Sequence, residues 1–350
     1  MRFGVIGLGS MGKRRVRDLR SLGHDVIGFD VREDRNAEAQ GLFGIRTFPS
    51  AEALIEARPD ALVVSTPPDQ HVADYERGFR AGLPFFSEAN VLTPRAEWFA
   101  EREASSGVRG YPSATMRFHG LVKSLRDQLR AVGPGGVWTI QAQYASFLPL
   151  WHPWEDYSEF YAGRCRRTGA ARETVPFELD WLCWIFGPVR AVCAARERRA
   201  EWKTDIDDTY ALLLEFEMGV RGSLIIEMHQ LAPSRQARVS CRDHSFVLDL
   251  GAHELKRYDR ASDSWRIEKP AGTRALGSFH YEQIYRDEIR AFADDLEGRR
   301  EYPKTWAEDR HASNALFAAE ESARRRSWIA VADVEPSYDG RSWVTEAACP

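Results

Sequence analysis

The sequence predicts an α/β protein in two parts. An amino-terminal domain has a parallel sheet wound with helices, and an α+β domain built on an open, mostly antiparallel sheet follows it. Three observations carry this. Short apolar runs alternate with helical spacing as far as Tyr111; longer runs of period two then take over; and 350 residues exceed the roughly 100–200 of a usual single domain. The boundaries are placed at 1–118 for the first domain and 119–335 for the second, with 336–350 as a tail.

Arg2–Ile6 is a short apolar strand ending in glycines, Met11–Leu22 is a helix, and Asp25–Phe29 is a second strand ending at Asp30. Ala51–Ala57 reads as a helix and Ala61–Ser65 as a buried strand stopped by Thr66-Pro67-Pro68. The helix His71–Ala81 closes at Gly82, Pro84–Ser87 is a strand, Thr93–Ser105 a helix and Val108–Tyr111 a strand. Strands alternating with helices imply right-handed parallel crossovers. In the second part, Leu121–Val132 is a helix closed by Gly133-Pro134-Gly135-Gly136, and Val137–Ser146 alternates as a strand with one wet face. A loop rich in Trp, Pro and Tyr spans 147–163. Next comes a helix near 175–186, which Pro176, best placed in a first turn, starts near Thr174–Val175. Strands are expected at 189–197, 208–217, 220–230, 236–242, 245–250, 254–258 and 264–268, and long helices over Tyr281–Leu296 and Ala307–Ala330.

Composition narrows the function class. A net charge of −4 supplies no basic field for nucleic acid or a membrane surface, and Lys13-Arg14-Arg15 and Arg324-Arg325-Arg326 read as solvated helix faces. Five cysteines without a C-x-x-C pair argue against a disulfide framework or a zinc site, and no metal is expected. Met1 runs straight into a strand with no leader pattern, and no apolar run is long enough for a bilayer, so a cytoplasmic protein is expected.

Gly7-Leu8-Gly9-Ser10-Met11-Gly12 fits G-x-G-x-x-G between a strand and a helix, with Asp30 18 residues past the last glycine. The first glycine permits the turn, the second admits the pyrophosphate and the third packs helix on strand. Asp30 accepts from ribose hydroxyls and repels a 2′-phosphate, so NAD is favoured over NADP, a preference Arg32 could blunt. This part therefore reads as a Rossmann dinucleotide-binding domain.

The stretch Ser65–Asn90 (STPPDQHVADYERGFRAGLPFFSEAN) resembles the Gfo/Idh/MocA oxidoreductases, whose third strand ends in T-P-x-x-x-H and whose fifth usually ends in E-K-P. The resemblance continues through Arg117-Phe118, Gly169–Gly187, Asp207-Asp208-Thr209 and the closing helices. It implies NAD(P)-dependent oxidation or reduction of a sugar, sugar acid or nucleotide-sugar, and a homodimer or homotetramer formed through the second domain's sheet. It also implies that Thr66, Pro67, His71 and Glu88 join Gly7, Gly9, Ser10, Met11, Gly12, Asp30 and Arg32 at the cofactor. The lysine and proline after Glu88 are replaced by Ala89 and Asn90, and the family's acid–histidine–acid pattern reads Glu173, Phe177, Asp180.

Removing a hydride from a secondary alcohol requires a group that takes the hydroxyl proton, and neither Ala89 nor Phe177 can. Tyr111, His119, Tyr144, His152, Tyr157, Tyr161, Glu173, Glu178 and Asp180 are the supply. Among them Asp180, Glu173, Tyr157 and His152 are the expected proton-handling set. On a helix Phe177 and Asp180 share a face and Glu178 turns away. The segment Leu148–Tyr157 resembles the L-P-x-W-x-P-x-x-D-Y segment of members associated with surface-sugar and sialic-acid-like biosynthesis. Arg117, Trp151, Trp154, Tyr161 and Phe177 are accordingly expected to line a sugar site. Asp207 and Asp208 precede a strand, where a surface role and substrate contact both stand. Three readings remain open: redox turnover with another proton carrier, redox-neutral chemistry with retained NAD, and binding without turnover.

Overall fold

The computed structural model describes residues 1–89, 96–133, 135–270 and 282–334. Asn90, Pro134, Tyr281 and the expected tail 336–350 lie outside the described residues. The chain divides into two compact units, Met1–Thr115 with Glu282–Arg310, and Met116–Tyr281 with His311–Pro350.

The first unit runs β1 (Arg2–Ile6), α1 (Ser10–Ser21), β2 (Asp25–Phe29), α2 (Glu33–Phe43), β3 (Arg46–Thr47), α3 (Ala51–Glu56), β4 (Ala61–Val64), α4 (His71–Ala81), β5 (Phe85–Ser87), α5 (Ala96–Ser106) and β6 (Gly110–Pro112). The strands pair in the order β3-β2-β1-β4-β5-β6, all parallel. The order reverses between β1 and β4, and an open parallel sheet binds its ligands at the carboxyl ends of such a pair. Burial explains the strand choice: every residue of β4 is fully buried, which favours an unbroken apolar run over alternation. Ser50 caps α3 by accepting from Ala53 N, and Gly82, in the left-handed region, closes α4.

The second unit contains α6 (Gly120–Val132), β7 (Val137–Phe147), α7 (Tyr161–Arg164), α8 (Ala170–Phe186), β8 (Val189–Glu197), β9 (Thr209–Phe216), β10 (Arg221–Glu227), β11 (His229–Cys241), β12 (His244–Asp249), β13 (Glu254–Asp259) and β14 (Ser264–Glu268). α9 (Glu282–Leu296) belongs to the first unit; α10 (Trp306–Arg325) begins there and continues into the second, which ends its described part with β15 (Ile329–Ala330). The nine strands pair in the order β14-β13-β12-β11-β7-β10-β9-β8-β15, and only β7 with β10 is parallel.

Four expectations are corrected. The return of Glu282–Arg310 to the first unit interrupts the continuous domain expected over 119–335; α9 buries Phe292 against Phe3, Phe86 and Tyr111 there. α8 begins at Ala170, with Pro176 in its interior. Its buried stripe Ala171, Val175, Leu179 and Leu182 carries the helix through a residue that removes one N–H. The last helix stops at Arg325, and Ile329–Ala330 pairs with β8 instead of continuing it. Arg15, expected on a solvated face, is fully buried.

Candidate active site

The glycine loop is shaped by close contacts at two of its three glycines. Gly7 has φ +89, and a Cβ there would stand 2.6 Å from the Ser65 carbonyl oxygen; at Gly12 it would stand 1.8 Å from the Gly7 carbonyl oxygen. Gly9 differs. A Cβ on it would meet only the Arg35 guanidinium, at 3.4 Å, and its φ of −67 suits any residue. Among the described residues nothing requires glycine at position 9, so the bare Cα leaves space for a ligand. Gly9 is also the N-cap of α1 and offers no side-chain cap, so no side chain competes with an anion for the N–H groups around Ser10 and Met11. The residues present fit a dinucleotide pyrophosphate.

Asp30 closes β2. Its Oδ2 accepts from Leu8 N at 2.7 Å and its Oδ1 from Arg32 N at 2.9 Å, while Asn36 on α2 latches its backbone from both sides. The carboxylate thus ties the glycine loop to the β2–α2 turn and keeps lone pairs for ribose hydroxyls. Arg32 is turned onto Asp34, with Nε 3.1 Å from Oδ1, on the exposed surface. Arg35 is the cation beside the site, its Nη1 3.7 Å from Asp30 Oδ2. Sequence reading missed it because α2 buries only Ala39 and shows no apolar period.

Past β4, Thr66 Oγ1 donates to Asp74 at 2.7 Å, and Thr66 O lies 2.7 Å from His71 Nε2. His71 is buried. It holds the Thr66–Pro67 loop in place. Glu88 follows β5, and Arg15 grips its carboxylate through Nε at 2.6 Å and Nη2 at 3.0 Å. Arg15 also donates to Tyr285 O at 3.0 Å and to Glu288 at 2.7 Å. Glu288 in turn accepts from Ser113 Oγ at 2.9 Å, Ala114 N at 2.6 Å and Thr115 Oγ1 at 3.1 Å. This network fixes the carboxyl ends of β5 and β6. Ala89 follows Glu88 directly and carries no proton. Tyr111 is engaged elsewhere: it donates to Asp295 at 2.8 Å, and burial followed by that bond pushes its phenol far upward.

In the second unit, α8 carries the three positions of the acid pattern. Between Ala170 and Leu182 only Glu173 and Phe177 reach solvent, one turn apart on one face. Tyr161, at the start of α7, donates from its hydroxyl to Glu173 Oε1 at 3.0 Å. Asp180 is buried and takes Arg117 bidentately, through Nη2 at 2.8 Å and Nε at 3.2 Å. Glu178 is buried, with Trp181 Nε1 at 2.7 Å from Oε2 and Arg235 Nη2 at 2.6 Å from Oε1; burial raises its pKa against the pull of Arg235. Burial, then the charge of Arg235, lowers His119 to about 3. Its Nδ1 accepts from Leu121 N at 3.2 Å as the N-cap of α6. A neutral imidazole so weakly basic is a poor proton acceptor at neutral pH.

The aromatic loop packs largely on itself. Trp151 Nε1 donates to Ser146 Oγ, and His152 Nδ1 lies 2.7 Å from Glu155 Oε1. The His152 ring stacks on Trp154 at 5.0 Å and tilts on Phe160 at 4.6 Å. Tyr157 Oη accepts from Lys203 N at 2.7 Å, joining this loop to the segment before β9. Asp208 organises that segment: fully buried, it accepts from Arg199 N, Ala200 N, Trp202 Nε1 and Thr209 Oγ1. Asp207 meets Arg166 at 3.4 Å and Arg196 at 3.5 Å. The structure therefore places Glu173 and Phe177 on one face of α8, with the Tyr161 hydroxyl bonded to Glu173. It gives Tyr157, Asp207 and Asp208 structural partners, and it leaves Trp154 exposed. Among the described residues no His/Cys/Asp/Glu grouping suits a metal, and no helix is long and apolar enough to cross a membrane.

Two family models match: the oxidoreductase family, NAD-binding Rossmann fold, over residues 1–100, and the GFO/IDH/MocA C-terminal domain over 122–247. The chain belongs to the Gfo/Idh/MocA oxidoreductase family. UDP-N-acetylglucosamine 3-dehydrogenase of Acidithiobacillus ferrooxidans is 35% identical over 83 residues, 24% of this chain and 26% of that protein. This chain thus matches only about a quarter of that relative's length. An oxidoreductase from Agrobacterium radiobacter, solved with NAD+, L-tartaric acid and magnesium, shares the fold at a TM-score of 0.82 and 15% identity over 95% of this chain and 98% of that one. The WlbA dehydrogenase of Bordetella pertussis, solved with NADH and UDP-GlcNAcA, gives 0.77 and 18% over 94% and 97%. These likenesses show the fold. As a Gfo/Idh/MocA member the chain has an NAD-binding Rossmann fold in its first part, and that part contains the glycine loop Gly7–Gly12.

Proposed function

We propose that this oxidoreductase uses NAD to oxidise or reduce a hydroxyl or carbonyl of a sugar, sugar acid or nucleotide-sugar, with Glu173 handling the hydroxyl proton and Tyr161 positioning it. The observation that carries this is the face of α8. Glu173 and Phe177 are its part-exposed residues, and the Tyr161 hydroxyl lies 3.0 Å from the Glu173 carboxylate. Every other carboxylate on that helix is buried in an ion pair. Bound NAD supplies the hydride acceptor. For oxidation, the substrate hydroxyl gives its proton to a Glu173 oxygen as the hydride leaves carbon. Phe177 offers an apolar ring face to a sugar one helical turn from Glu173. Asp30, held between Leu8 N and Arg32 N, supports NAD over NADP.

A homo-oligomer through the open sheet accompanies this proposal. On the sheet's outer face Leu213 pairs with Cys193 and Ser223, and Ile225 with Ala211; Leu213 is 52% and Ile225 41% exposed. Apolar rows on a broad sheet face suit a second copy. Light scattering should show a dimer or tetramer that Leu213→Arg dissociates.

Turnover is tested by mixing the protein with NAD+ and a panel of hexoses, aldonic acids, uronic acids and UDP-sugars while following the nicotinamide absorbance. Net NADH formation with at least one sugar class supports the proposal. Cofactor that co-purifies and exchanges substrate deuterium without net NADH would replace it with redox-neutral chemistry.

A further inference from the structure

We infer that Arg235 anchors an anionic group of the substrate, so that the preferred substrates carry a carboxylate or phosphoryl group. The inference rests on the proposal that the face of α8 holding Glu173 and Phe177 meets substrate. β11 loses register with β7 between His229 and Ser234 and regains it at Ser234 and Arg235. Irregularities of this kind re-aim side chains and gather beside functional sites. The Arg235 side chain is 6% exposed, and its guanidinium lies 5.3 Å from the Phe177 ring centroid and 5.5 Å from that of Tyr144. It therefore sits against the residue standing where the family pattern has histidine.

Its hydrogen bonding is unfinished. Arg15, also buried, is a completed structural guanidinium, with two carboxylates and a backbone carbonyl around it. Arg235 has one carboxylate, Glu178, and its buried Nε has no acceptor among the described residues. A guanidinium offers five donors in a planar fork, and one withdrawn from water with a donor unused is costly unless a ligand completes it. The charge around it permits this. Among the described residues Glu178 is the only acid paired with it, burial already disfavours the charge on Glu178, and His119 is neutral at physiological pH. A ligand carboxylate or phosphate, planar or tripodal, supplies the missing acceptors bidentately.

The test compares D-glucose, D-gluconate, D-glucuronate, D-glucose 6-phosphate and UDP-glucose as ligands and substrates of the NAD-loaded full chain. Isothermal titration should show anions binding about 10- to 100-fold tighter than D-glucose, the range of a charge-assisted hydrogen bond. The acids against the phosphates distinguish the two sources of charge. Arg235→Lys should lose about tenfold of that preference, and the double change Arg235→Met/Glu178→Gln, which strands no charge, should abolish it with NADH affinity kept as the folding control. Equal binding of glucose and every anion by the wild type, or a double variant that keeps the preference, overturns the inference. Anion preference without turnover would sink the redox proposal alone, and turnover without anion preference would sink the anion site alone.

Discussion

Gly9→Ala should remove cofactor binding while leaving the fold intact, and Gly12→Ala should do damage to the fold itself. A Cβ at Gly12 would stand 1.8 Å from the Gly7 carbonyl oxygen, where real contacts stay beyond 3.0 Å, so the backbone must retreat by more than an ångström. Overpacking of that kind costs about 1–3 kcal/mol, and each kcal/mol lowers a melting point by about 2–4 °C in a chain of this class. At Gly9 the nearest atom is the far end of the flexible Arg35 side chain at 3.4 Å, and φ is −67. Alanine there should be neutral or stabilise by about 0.4–1 kcal/mol through the unfolded chain. The same methyl stands where the pyrophosphate approaches, and losing one or two charge-assisted hydrogen bonds weakens NADH about 100-fold. Thermal melts and NADH fluorescence titrations read the two effects separately. The reasoning fails if Gly9→Ala binds NADH within about threefold of wild type, or melts as low as Gly12→Ala.

Three further outcomes follow from the same geometry. His119 has its pKa lowered from 6.5 to about 3 by burial, so the unfolded chain takes up a proton that the folded chain refuses. Its stabilising share is whole above pH 6.5 and fades as pH falls toward 3. Between pH 6.5 and 5 wild type should lose about 2 kcal/mol that His119→Asn, which keeps an N-cap, does not lose; parallel urea-unfolding curves would contradict this. Glu288→Gln should cost about 3–5 kcal/mol in denaturant unfolding, because it removes the fully buried one of the two carboxylates that hold Arg15. A loss under about 1 kcal/mol would mean the pair is dispensable. Asp30→Ser should shift the NADP-to-NAD affinity ratio upward about 10-fold or more, since Arg35, 3.7 Å from Asp30, then faces a neutral site; an unchanged ratio would remove both residues from cofactor choice.

The cofactor half was legible because its information is local. A strand, three glycines, a helix and an acid stand within Arg2–Asp30, and the spacing alone implies the turn. The role of Gly9 as ligand space emerges only in the fold, since all three glycines look alike in the sequence. Arg15 looked like one more charge in a basic run. Only the return of α9 supplies Glu288, far along the chain, to make it a buried hub. α8 shows the opposite limit. Pro176 argued for a late start, and tertiary burial of Ala171, Val175 and Leu179 overrode it. Helical spacing puts Phe177 and Asp180 toward substrate; the fold instead closes Asp180 against Arg117 and leaves Glu173 and Phe177 as the part-exposed residues. Arg235 is not legible in the sequence, because a lone arginine in a strand has no pattern. Its meaning comes from the unused Nε and from Phe177 beside it.

The central claim is that a Gfo/Idh/MocA glycine loop delivers NAD to a reaction whose proton passes through Glu173. Single-turnover hydride transfer, measured with a substrate from the panel on wild type, Glu173→Gln and Tyr161→Phe, tests it most directly. Glu173→Gln should slow transfer by about 10²–10⁴-fold with NADH affinity unchanged, and Tyr161→Phe by a smaller factor. Transfer by Glu173→Gln within about threefold of wild type would contradict it.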